Sequence, residues 1–237
     1  MSRRAVILAG GRGTRLRPYT VVLPKPLMPI GEFPILEVIV RQLAAAGFDH
    51  VTMAVNRQAE LIKAFFQDGA KWKMHIDYSL EDKPLGTMGP LRLIGALPEH
   101  FLVMNGDVLT DLDFARLFED HVRSGALFTI SSSVRDEIID YGVLDTDGNG
   151  RLIGFREKPR SRYEVSMGVY VLSARVLDYI PQDRLYGFDH LMLDLIAAKE
   201  PVVVRPFTGY WLDIGRPDDY ARAIDEFDAM RGRFLNE

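Results

Sequence analysis

Residues 6–29, V-I-L-A-G-G-R-G-T-R-L-R-P-Y-T-V-V-L-P-K-P-L-M-P, constrain the fold more than any other stretch of the chain. The apolar run 5–9 has the length of one buried strand and ends at Gly10, Gly11 and Gly13. A strand that feeds a glycine loop brings backbone N–H groups against phosphate, because a main chain without Cβ atoms can approach closely. The loop is also cationic. Arg3, Arg4, Arg12, Arg15, Arg17 and Lys25 all precede the first acid, Glu32, so the opening 31 residues carry +6 in a chain of net charge −4, leaving −10 on the remainder. Charge segregated in this way points to a polyanionic partner. Two familiar phosphate loops do not fit. Walker A requires Gly-Lys-Ser/Thr where this chain has Gly13-Thr14-Arg15, and the dinucleotide loop requires a third glycine where Leu16 stands.

Taken together, A-G-G-R-G-T-R-L-R-P-Y-T and P-K-P-L-M-P resemble the opening motif of the sugar-1-phosphate nucleotidylyltransferases, or sugar-nucleotide pyrophosphorylases. The mannose-1-phosphate and heptose-1-phosphate guanylyltransferases are nearest in pattern. The resemblance implies that Leu8, Ala9, Gly10, Gly11, Gly13 and Thr14 bind the nucleotide. It also implies that Arg15 and Lys25 act on the triphosphate and the departing pyrophosphate.

The rest of the sequence reads as one α/β domain over residues 1–237. Neither a composition shift nor a Pro/Gly/Ser linker divides the chain. Short apolar strands alternate with helical stretches: strands at 51–55, 74–79, 101–104, 127–134, 166–172 and 202–206, and helices at 34–46, 58–67, 86–96, 113–124, 173–180, 188–198 and 217–232. This alternation predicts a mostly parallel, Rossmann-like mixed sheet flanked by helices, with ligands at the carboxyl ends of the strands. There is no apolar run near 18 residues, so a membrane partner is not expected. The acidic balance, pI about 5.8, argues against broad nucleic-acid binding. With no cysteine, disulfides and thiol chemistry are excluded, which is compatible with a cytoplasmic location. Many members of the resembled family continue into a left-handed β-helix. No part of this sequence reads as one, which puts assembly through such a tail in doubt and leaves a homodimer open.

Four further segments extend the resemblance. In Y-S-L-E-D-K-P-L-G-T-M-G-P-L, Gly86 and Thr87 are expected to close over the nucleotide. Glu81 or Asp82 could accept two hydrogen bonds from the N1–H and N2–H₂ edge of guanine, which uracil with its single ring donor cannot supply. That favours GTP. Strand 101–104 ends in Asn105-Gly106-Asp107, and a carboxylate at a buried strand tip calls for a charged partner. Mg²⁺ suits it, and the resemblance makes Asp107 and, in G-Y-W-L-D-I-G, Asp213 its ligands. The resemblance also places Tyr141, Gly142, Glu157, Lys158 and Trp211 around the sugar phosphate, and Gly168, a glycine inside strand 166–172, suggests a close backbone approach to that ligand. Glu157 and Lys158, adjacent in a strand, are expected on opposite faces, and residues 147–150 at a hairpin turn. The five histidines show no metal-ligand spacing.

The expected substrates are an NTP and a sugar 1-phosphate, with mannose or heptose 1-phosphate as acceptor and Mg²⁺ as cofactor. Uridylyl, cytidylyl or thymidylyl transfer stays open. So does a non-catalytic sugar-nucleotide-binding subunit, although Arg15, Lys25, Asp107, Lys158 and Asp213 are all present. A glycosyltransferase fits less well, because the Asp-x-Asp pairs at 111–113 and 145–147 do not end apolar strands.

Overall fold

The computed structural model describes residues 2–11, 13–56 and 59–235. Arg12 of the basic loop and Gln58, the expected first residue of the second helix, therefore lie outside the described residues. The elements in order are β1 (Arg4–Leu8), β2 (Pro29–Ile30), β3 (Phe33–Pro34), α1 (Ile35–Ala45), β4 (His50–Val55), α2 (Ala59–Phe66), β5 (His75–Leu80), β6 (His100–Asn105), β7 (Val108–Thr110), α3 (Phe114–Ser124), β8 (Phe128–Ile138), β9 (Gly142–Thr146), β10 (Leu152–Glu157), β11 (Arg160–Ser173), α4 (Phe188–Ala197), β12 (Val202–Pro206), β13 (Trp211–Asp213) and α5 (Pro217–Phe234).

Seven strands form the main sheet in the order β12-β8-β11-β6-β1-β4-β5. The pairs β6-β1, β1-β4, β4-β5 and β12-β8 are parallel, whereas β11 runs antiparallel to both neighbours. The central strands β1, β4 and β6 read as nearly unbroken apolar runs because both their faces are buried. Ala5, Ile7, Leu102 and Met104 pack on one side with the buried residues of α1 and α5. Val6, Phe101, Val103 and Leu172 pack on the other with α4 and the segment 88–94. This two-sided core fixes the strand ends in space, and the loops at the carboxyl ends inherit that rigidity. Among the described residues, no helix is long and apolar enough to cross a membrane.

The structure corrects several local expectations. Residues 86–96 do not form an α-helix. Gly86 takes a left-handed φ of 81°, and Pro90 opens a 3₁₀ turn at Gly89–Leu93. Residues 174–179 are likewise 3₁₀. Pro34 precedes the first helix as its cap, so the helix starts at Ile35, one residue later than expected. Strands β8 and β11 run well past the core as a ribbon paired from Arg160↔Ile138 inward. The ribbon was hard to read because its outer half is exposed and lacks a buried face to impose alternation. Lys158 is not in a strand. It turns the corner between β10 and β11 with φ 42°, so the opposite-face argument for Glu157 and Lys158 fails.

Candidate active site

Four parallel strands end at one cleft of ≈ 870 Å³. β1 runs into Gly10 and Gly11, β4 into Asn56, β5 into Glu81, and β6 into Asn105, Gly106 and Asp107, all of which line it. The glycine loop is folded back on itself. Thr20 donates its hydroxyl to the Gly13 carbonyl at 2.6 Å, and Asn56 donates its amide to the Gly10 carbonyl. Gly13 is left-handed (φ 59°) and packs against Thr20, so a Cβ there would be both strained and crowded. Leu16 pins the following 3₁₀ turn into the core while Thr14 and Arg15 stay exposed at its surface. Lys25 begins another 3₁₀ turn between Pro24 and Pro26, whose fixed φ values hold it in place on the cleft wall.

The charged centre is built from three distant segments. β7 pairs antiparallel with β13 so that Asp213 lies opposite Val108, and Ile214 N–H donates to the Asp107 carbonyl at 2.9 Å. That two-stranded ribbon sets Asp107 beside Asp213. The Lys25 ammonium touches the Asp107 carboxylate and lies 3.9 Å from Asp213. Gly215 makes room for it, since a Cβ there would come within 2.8 Å of the Lys25 Cε. Burial pulls the Lys25 ammonium below the usual lysine range; the Asp213 charge opposes this and the nearby Arg15 guanidinium adds to it.

Asp213 is itself positioned. Its N–H donates at 3.3 Å to Asp219, a buried carboxylate at the start of α5 that accepts twice from Arg135, at 2.7 and 2.8 Å. Arg135 stacks 5.5 Å from the Trp211 ring centroid, and Trp211 donates its indole N–H to the Met167 carbonyl at 3.0 Å. Two carboxylates converging on one cation form a hard-oxygen donor set, and that set fits a divalent ion of the Mg²⁺ type.

The opposite wall carries Glu81, Gly86 and Thr87. Glu81 accepts from the Leu85 N–H at 3.2 Å, and its half-buried setting raises its pKa, a shift that this bond opposes. Gly86 packs onto the Tyr186 backbone, where a Cβ would fall 2.8 Å from a carbonyl oxygen. Gly86→Ala is therefore expected to destabilise the fold by about 1–3 kcal/mol, the usual cost of a forced left-handed residue. A lowered urea midpoint at unchanged slope would show it.

Of the other residues singled out in the sequence, Ala9 lies buried beneath the cleft, its N–H donating to the Ala54 carbonyl at 2.8 Å. Gly168 (φ 73°) sits against Asn105 on the cleft floor, at a register shift in β11. Tyr141, Gly142, Glu157 and Lys158 are not brought to this cleft. They belong to or flank the β9-β10 hairpin, which is exposed and, among the described residues, forms a two-stranded sheet of its own, and Lys158 forms an ion pair with Asp140 at 2.7 Å. Sequence reading missed Asn56, Asn105, Asp219 and Arg135. Asn105 could have been flagged by the motif it shares with Asp107, but nothing local marks the other three. The spacing of the histidines along the sequence also gave no sign that His50 and His75 meet Asp77 across two strands.

The nucleotidyl transferase family profile matches residues 4–229. The UTP–glucose-1-phosphate uridylyltransferase of Synechocystis is 35% identical over 241 residues, covering 93% of this chain and 62% of that protein. The mannose-1-phosphate guanyltransferase of Yarrowia lipolytica is 36% identical over 225 residues, covering 92% and 62%. This chain thus spans a little under two thirds of the length of those relatives. Among solved structures, HddC from Yersinia pseudotuberculosis complexed with GMP-PN superposes with a TM-score of 0.73 at 27% identity, covering 95% of this chain and 99% of that one.

Proposed function

The chain belongs to the nucleotidyl transferase family, and from that premise we propose that it transfers a guanylyl group from GTP to mannose or heptose 1-phosphate, releasing pyrophosphate. The observation that carries this reading is Lys25 seated between Asp107 and Asp213 on a cleft bordered by the glycine loop. A sugar phosphate already carries its nucleophilic oxygen as a dianion, so no general base is needed. The new bond joins that oxygen to the α-phosphorus, and the bond from α-phosphorus to the bridging β oxygen breaks. The work left to the protein is to hold two polyanions in line and offset charge as pyrophosphate leaves.

Lys25 and Arg15 supply fixed positive charge at the triphosphate, and the glycine loop offers backbone N–H groups. Asp107 and Asp213 would hold Mg²⁺, which when bound neutralises phosphate oxygens of both substrates. The motif resemblance alone assigns Tyr141, Gly142, Glu157 and Lys158 to the acceptor sugar phosphate.

For the base, Glu81 is the proposed guanine reader. It lines the cleft, and one of its oxygens is already oriented by Leu85. The Yarrowia relative is named a guanyltransferase, and the GMP-PN bound to HddC is a guanine nucleotide. The Synechocystis relative, named for UTP and glucose 1-phosphate, favours a second reading, uridylyl transfer. One panel separates them: four NTPs crossed with mannose, heptose and glucose 1-phosphates, scored by pyrophosphate release. GTP is expected to lead. Glu81→Gln is expected to reduce the GTP preference by about 1–3 kcal/mol, the discrimination of one bidentate base contact. Because the acceptor must be ionised, the KM for GTP should also rise as pH falls through the raised Glu81 pKa, and the glutamine variant should lack that dependence. A UTP optimum insensitive to Glu81 would overturn the guanylyl reading.

A further inference from the structure

We propose a second cation site, formed by His50, His75 and Asp77, that takes a transition metal of the Zn²⁺ type. It lies at the amino ends of β4 and β5, whereas the cleft lies at the carboxyl ends. A six-residue strand separates the two by roughly 20 Å. His50 and His75 are register partners across the parallel β4-β5 pair, and Asp77 follows two residues later on the same face. Their ligand atoms all lie within 4.8 Å of one another. His50 Nε2 is 3.0 Å from Asp77 Oδ2, and the two imidazole centroids are 4.7 Å apart.

The chemistry of the set selects the metal. Two imidazoles and one carboxylate suit Zn²⁺, Co²⁺ or Ni²⁺ and not the all-oxygen shell of Mg²⁺ or Ca²⁺. Three protein ligands leave a fourth position for water. Asp77 also has acceptor capacity to spare, because its Oδ1 is buried without a hydrogen-bond partner. The neighbouring guanidinium of Arg4 pairs with this carboxylate but is held by further acceptors as well. It donates to Thr52 Oγ1 at 2.9 and 2.6 Å and to the Gly95 and Ala96 carbonyls at 3.3 and 3.2 Å, whereas its contact to Asp77 is 3.3 Å. Arg4 can therefore keep its place while Asp77 turns to a metal. An ion here would tie the edge strand β5 to β4 and act on stability, leaving the cleft chemistry to other residues.

Titration of untagged, chelator-treated protein with Co²⁺, followed by visible d–d absorption, tests the site. The expected result is one equivalent bound, displaced by Zn²⁺ but not by excess Mg²⁺, with a Zn²⁺-dependent rise in Tm. His75→Ala should lose both effects while keeping the wild-type far-UV spectrum, since its side chain is exposed. Asp107→Asn should keep both effects. No stoichiometric binding, or binding that survives His75→Ala and His50→Ala, would overturn the proposal. So would a signal that disappears in Asp107→Asn, because the ion would then belong to the cleft.

Discussion

Replacing Lys25 by alanine is expected to lower turnover about 10²–10³-fold, roughly 2.7–4 kcal/mol, the loss that follows removal of one preorganised charge-stabilising donor. The side chain is only 12% exposed, set by prolines on either side and by the space that Gly215 leaves open. An ammonium fixed in this way needs little reorganisation as charge grows on the departing pyrophosphate, so kcat should fall more than KM rises. Lys25→Arg should recover only part of the rate, since the planar guanidinium must fit where Gly215 just admits an ammonium. The substitution has a second consequence. Without Lys25, Asp107 and Asp213 face each other with no cation between them, so Mg²⁺ should raise the Tm of Lys25→Ala more than that of wild type. Initial rates of pyrophosphate release and a Mg²⁺ series of melting curves check both effects. Wild-type turnover in Lys25→Ala would remove this residue from the reaction.

Asp107→Asn is expected to cost at least as much. The amide has nearly the size of the carboxylate, and the Ile214 N–H donates to the main-chain carbonyl of residue 107, which the substitution leaves in place, so the fold should be retained. What it lacks is the charge that holds a divalent cation against Lys25. Metal assistance is worth several kcal/mol of transition-state charge stabilisation, so the loss should be on the order of 10³-fold or more. Asp213→Asn should resemble it, because the β7-β13 ribbon makes the two acids one unit. For the same reason the double variant should be little worse than either single one. Rates measured with and without EDTA check this. A wild-type protein fully active in EDTA, or an Asp107→Asn variant with an unaltered Mg²⁺ dependence, would contradict the metal role.

The sequence made the central sheet legible because two-sided burial writes itself as continuous apolar runs, as in residues 5–7 and 101–104. The carboxyl ends of β1, β4, β5 and β6 were legible too, since each stops at or near a glycine or a polar residue that cannot remain in the core, whereas the exposed extension of β8 was not. Less legible were features set by long-range pairing. The three-residue strands β7 and β13 are too short to show a period, yet they alone explain why Asp107 and Asp213 are neighbours. The sequence assigned Lys25 to phosphate and the two aspartates to metal, and did not foresee that they would touch. His50 and His75 lie 25 positions apart, and only parallel register brings them together. Lys158 was misplaced because its left-handed corner has no glycine to announce it. The stretch 86–96 misled because Leu85, Met88 and Leu91 have helical spacing, whereas Gly86, Gly89 and Pro90 hold the backbone in turns.

The central claim is that one charged centre, formed by Lys25, Asp107 and Asp213, receives the triphosphate and its metal. The most direct measurement is the anomalous scattering of Mn²⁺ in crystals grown with a non-hydrolysable GTP analogue. The account predicts a Mn²⁺ peak shared by the carboxylates of Asp107 and Asp213, phosphates against the glycine loop and Lys25, and the base beside Glu81. A metal peak away from both aspartates, or a nucleotide bound outside the cleft, would contradict it.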